Sequence, residues 1–85
     1  MSPRLDRQRG YLFYFRAAEV LIEPAHIHIE GEKGAMKIWI PSLEIAECYN
    51  IPTHEQNKLL DIVATNCAKW LAIWKQKETI AKNLN

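Results

Sequence analysis

Polar and apolar residues alternate most cleanly in His26 to Glu30, HIHIE, which sends Ile27 and Ile29 to one side of a strand and His26, His28 and Glu30 to the other. Gly31 to Gly34 follows as a turn in which either glycine can take positive φ. Alternation then resumes over Ala35 to Ile40, with Met36, Ile38 and Ile40 opposed to Ala35, Lys37 and Trp39. The pattern predicts an antiparallel hairpin. Tyr11 to Arg16, YLFYFR, predicts a further strand with Tyr11, Phe13 and Phe15 on one face. Ala17 to Pro24 lacks a sustained period and reads as loop.

A three-stranded sheet with one apolar face needs a cover, and the second half of the chain provides one. Leu43, Ala46 and Tyr49 recur at helical spacing, which predicts a short helix over Pro41 to Tyr49. Thr53 and Gln56 fit a capping box in which the Thr hydroxyl accepts an orphan N–H. From there Leu59, Leu60, Ile62, Val63, Cys67, Trp70, Leu71 and Trp74 form a wide apolar stripe, predicting a long helix across the sheet. From His54 to Lys82 it would measure about 40 Å. The expected fold class is therefore α+β: a small antiparallel sheet of about three strands covered by a short helix and a long C-terminal helix. Residues 1–10 form a basic N-terminal segment, 11–75 one domain, and 76–85 a helical extension or a disordered tail.

At 85 residues the chain holds one domain, and a domain this small buries only about 60% of its unfolded surface, so a partner can matter to its stability. The formal charge of +1 conceals blocks: four arginines face one aspartate through residue 16, and six glutamates face two lysines from 17 to 50. This balance argues against a general polycation for nucleic acid and leaves a local patch open. No apolar run approaches the roughly 18 residues that span a bilayer, and the polar, arginine-rich start is unlike a signal segment, so the chain reads as cytoplasmic, without membrane association. Cys48 and Cys67 form no CxxC pair and are assigned to the core as reduced thiols.

The polar sheet face gathers the candidate chemistry. Arg16, His26, His28 and Lys37 are candidate catalytic groups: imidazole exchanges protons near neutral pH, and a cation stabilises developing phosphate charge. Tyr14 and Trp39 offer stacking surface for an unpaired RNA base. A weaker alternative is a metal held by His26, His28 and Glu30, about 6 to 7 Å apart along one strand; the primary reading has no metal and no cofactor. Trp70 and Trp74 belong to the core or to an interface.

The segment EPAHIHIEGEKGAMKIWIPSLEIA, Glu23 to Ala46, resembles the bacterial domain-of-unknown-function family 4160. Glu23, Pro24, His26, Ile27 and His28 match its E-P-P-H-I-H-V motif, Ile29 replaces Val, Ala25 departs from the second proline, and Trp39 takes the aromatic position ending the next strand. Asn66, Leu71 and Trp74 resemble its helix spacing, whereas several acidic helix positions are apolar or basic here. The resemblance covers roughly residues 11 to 75. It implies a small bacterial protein often encoded beside a second small protein, as in a toxin–antitoxin pair, and points to Pro24, His26 and His28 as the activity or partner site.

The leading expectation is thus the toxin of a type II toxin–antitoxin module, neutralised by a small cognate antitoxin covering the polar sheet face or the tryptophan-bearing helix. The alternatives are a non-toxic protein-interaction module and a small RNA-cleaving enzyme using the His-x-His face. Pro24, Tyr14, Trp39, Trp70 and Trp74 are the candidate binding residues, RNA is the candidate target, and enzymatic activity and homo-oligomerisation stay open.

Overall fold

The computed structural model describes residues 4–84. Strands β1 (Arg4–Gln8), β2 (Tyr11–Tyr14), β3 (His26–Glu30), β4 (Ala35–Trp39) and β5 (Ile45–Tyr49) form one antiparallel sheet in the order of the chain, and helix α1 (Thr53–Asn83) follows. A 3₁₀ turn, Ala17–Glu19, lies in the long connection between β2 and β3.

The central hairpin has the register that the alternation requires, with Ile27 opposite Ile38, Ile29 opposite Met36 and His28 opposite Lys37. Its glycines serve close approach rather than positive φ. A Cβ on Gly31 would stand 2.5 Å from the Tyr11 ring, and one on Gly34 would stand 2.5 Å from the Asn50 carbonyl oxygen. Positive φ falls instead on Arg9, Gly10, Leu43 and Asn50, in the links flanking β2, β4 and β5.

Five strands replace the expected three. β1 carries Arg4, Asp6, Arg7 and Gln8, and it reaches the sheet through backbone pairing with β2, an edge arrangement that needs little apolar surface. The short helix expected over Pro41 to Tyr49 is absent. After the cis Ile40–Pro41 peptide the chain turns through Leu43, whose N–H donates to the Trp39 carbonyl at 2.8 Å, and Ile45–Tyr49 pairs with β4. Backbone pairing and the opposition of Lys37 and Glu47 outweigh the helical spacing of Leu43, Ala46 and Tyr49. Cys48, expected inside, is exposed on this edge strand, and Cys67 is half-buried on α1.

The core lies between one sheet face and α1. Phe13, Ile27, Ile29, Met36 and Ile38 pack with Leu59, Val63, Trp70 and Trp74, which recur along α1 at intervals of four, seven and four residues. Trp70 meets Phe13 with ring centroids 5.6 Å apart, and Trp74 meets Phe15 edge-on at 5.1 Å. Beyond Trp74 the helix buries no residue, although it continues to Asn83; Ile80 and Leu84 are exposed. The capping box does not form. Pro52 is the N-cap, its carbonyl accepts from the N–H groups of Glu55 and Gln56, and the Gln56 side chain donates to the Ile51 carbonyl at 2.7 Å.

Candidate functional site

On the face turned away from most of α1, His28 stands at the floor of a cleft of about 420 Å³. Strand pairing sets Tyr14 and Lys37 on either side of it. The Tyr14 ring stacks on the His28 imidazole at 5.3 Å and donates its hydroxyl to the Glu30 carboxylate at 3.0 Å. Lys37 pairs with Glu23 and lies 4.6 Å from the centre of the Trp39 ring. Arg16, half exposed, donates to the Tyr14 hydroxyl and stands 3.8 Å from one oxygen of Glu19.

The geometric centre of this face is a residue that the sequence reading did not single out. The 3₁₀ turn brings Glu19 over the start of β3, where its Oε1 lies 2.6 Å from His28 Nε2 and 2.8 Å from His26 Nε2. The two Nε2 atoms are 3.2 Å apart. His26 is fully buried, packed against Trp39 and Trp74, and its Nδ1 donates to the Pro24 carbonyl at 2.9 Å. Since a carbonyl oxygen only accepts, that bond fixes the Nδ1 proton and turns Nε2 toward Glu19 and His28.

Burial by itself raises the pKa of Glu19, but hydrogen bonding to His28 and His26 and their charge overcome it and bring the carboxyl down to about 2. Burial pushes His28 down, against the opposing pull of the Glu19 carboxylate. Desolvation raises the Tyr14 hydroxyl, so it remains a hydrogen-bond donor. Near neutrality Glu19 is therefore an ionised carboxylate, and the Nε2 atoms of His26 and His28 face it.

The residues expected from sequence fall into three groups. His26 and His28 meet as neighbours in the cluster, and Arg16 borders it. Lys37 and Tyr14 line the cleft, while Trp39 supports Lys37 and His26; Pro24 acts through its carbonyl. Trp70 and Trp74 are 1% and 2% exposed and so belong to the core, where no partner reaches them. Glu30 bonds to Tyr14, and Glu19 takes the place beside the two histidines. Glu19 had one available signal: it is a carboxylate in the loop that must return the chain from Phe15 to His26. Loop residues show no period, so the spacing could not select it from Glu23.

Residues 10–75 match a family described as a domain of unknown function, DUF4160. The chain belongs to this family. The matched span includes β2 to β5, the 3₁₀ turn and the helix through Trp74, so every residue of the Glu19, His26 and His28 cluster lies in the DUF4160 domain. β1 lies before it and the last turns of α1 lie after it. No curated protein and no solved structure matches the chain.

Proposed function

We propose that this DUF4160 protein is the toxin of a bacterial type II toxin–antitoxin module, acting in the cytoplasm and neutralised by a small antitoxin bound along β5 and the cleft. The resemblance of its histidine motif supports growth inhibition. One observation carries the partner contact: the cleft opens along an unpaired sheet edge. Glu47, Cys48 and Tyr49 of β5 line it, Tyr49 is 72% exposed, and the outer backbone of β5 has no neighbouring strand among the described residues. Such an edge accepts an added strand, whose backbone supplies affinity and whose side chains enter adjoining pockets.

The charge of the cleft selects the character of that strand. Glu19, Glu23, Glu30 and Glu47 outnumber Arg16 and Lys37, favouring a segment that brings Lys or Arg. The same balance disfavours a phosphate backbone, which ranks RNA cleavage below protein binding. No helix among the described residues is long and apolar enough to cross a membrane.

Expression of the chain alone, and together with the product of its adjacent small gene, tests this function. Growth arrest relieved by co-expression is expected. Unimpaired growth with the chain alone, accompanied by a stable complex of the two proteins, would instead identify a non-toxic interaction module. On the proposed contact, Tyr49→Lys and Glu47→Gln, which remove the exposed ring and one carboxylate without setting like charges opposite Lys37, together weaken the complex at least tenfold and leave the fold intact.

A further inference from the structure

We infer that Glu19, His26 and His28 form a site for one divalent transition-metal ion, with zinc as the reference ligand. The inference stands apart from the antitoxin contact, because it concerns a cluster of three side chains, Glu19 and His28 on the cleft wall and His26 buried beside them, whereas that contact is carried by the strand edge of β5.

Proton counting supplies the argument. One oxygen and two nitrogens converge, every pair within 3.2 Å. A hydrogen bond along any edge of that triangle needs a proton between the atoms. In its neutral form His26 spends its one proton on the Pro24 carbonyl, so its Nε2 presents a lone pair to the Glu19 oxygen 2.8 Å away. His28 can donate one Nε2 proton to Glu19, but that proton cannot also serve His26. A single cation at the centre satisfies the carboxylate and both lone pairs together. Imidazole nitrogen and carboxylate oxygen are suitable donors for zinc and its first-row neighbours.

The surroundings are those of an oriented ligand set. A metal-ligating histidine commonly donates its other ring N–H to a carbonyl, as His26 does to Pro24, and a ligating carboxylate commonly has a partner on its second oxygen, as Glu19 has in Arg16. Arg16 is half exposed, so solvent screens its repulsion of a bound cation. Bonds of about 2.0–2.2 Å at tetrahedral angles place donor atoms roughly 3.3 Å apart. The histidine pair already has this separation at 3.2 Å; Glu19, now 2.8 Å from His26 and 2.6 Å from His28, must withdraw by roughly 0.5 to 0.7 Å, within the reach of a rotamer change on a surface turn. Three protein ligands leave a fourth position for water or for a group entering the cleft.

Zinc titration of the full-length, untagged, chelator-stripped chain under reducing conditions tests the site. The expected result is one equivalent bound, with a rise in Tm. Cobalt should give a tetrahedral d–d spectrum without a thiolate charge-transfer band, since neither cysteine is a ligand. Glu19→Gln, which preserves size at a partly exposed position, should weaken zinc binding at least 100-fold, roughly the upper effect of losing even an outer-shell partner. His28→Ala should do the same, while His54→Ala on exposed α1 leaves affinity unchanged. No binding by the folded wild-type chain, binding of several weak equivalents, or unchanged affinity in folded Glu19→Gln would overturn the site and leave a proton-bridged cluster. None of these results depends on growth arrest or antitoxin capture.

Discussion

The two faces of the sheet are held by different physics. Under α1, Phe13, Ile27, Ile29 and Ile38 meet Trp70 and Trp74 in a layer closed to water, and hydrophobic burial and close packing dominate. On the other face Tyr14, His28 and Lys37 border an open cleft and are fixed by stacking, ion pairs and convergence on Glu19. Each interaction there contributes modestly to folding. The contrast teaches a division of labour: one face supplies the stability that lets the other hold polar groups in an arrangement suited to ligands.

The largest effect should come from opening the closed face. Trp70→Ala removes a ring packed on Phe13 and should destabilise the fold by about 3–5 kcal/mol, read by urea unfolding. Against the roughly 5–15 kcal/mol typical of a domain, that loss endangers the native state. Ile38→Val, a milder opening of the same layer, should cost about 0.5–1.5 kcal/mol. If Trp70→Ala changed stability no more than a surface substitution, the assignment of stability to this face would fail.

The polar face should respond to pH before it responds to truncation. The carboxyl of Glu19 falls from an ordinary value near 4.5 to about 2 in the folded chain, so its stabilising contribution is present above 4.5 and is lost as pH drops toward 2. His26, His28 and Arg16 face it. Acid titration of the chelator-treated chain by circular dichroism should show this loss, and Glu19→Gln should flatten that part of the curve. Smaller still, Tyr14→Phe keeps the ring on His28 and frees the exposed Glu30 carboxylate to water, for a stability change of about 0.5 kcal/mol by thermal denaturation.

The same contrast explains which parts of the molecule could be read in the chain. The central hairpin and α1 were legible because each has one buried face: Ile27, Ile29, Met36 and Ile38 write a period of two, and Leu59, Val63, Trp70 and Trp74 write a helical one. The outer strands bury too little to write any period. β1 is mostly charged, and every residue of β5 except half-buried Ala46 is exposed, so chance helical spacing prevailed in the sequence until the β4 backbone decided the matter. Thr53 failed as a cap because the Pro52 carbonyl already starts the helix. At the site, His26 and His28 were legible from alternation and motif. Their partner Glu19 was not, because a contact across seven to nine residues of loop is set by tertiary closure rather than by local pattern.

The proposed toxin activity rests on Glu19 and His28 at the cleft, two side chains that can be changed without opening the packed core. Its most direct test is growth of cells expressing the Glu19→Gln, His28→Ala double variant, with Tm and soluble yield measured on the same protein. Restored growth, with a cooperative melt and a yield like that of the parent, is the predicted result. Growth arrest that persists in a folded, equally abundant double variant would contradict it and move the activity elsewhere on the molecule.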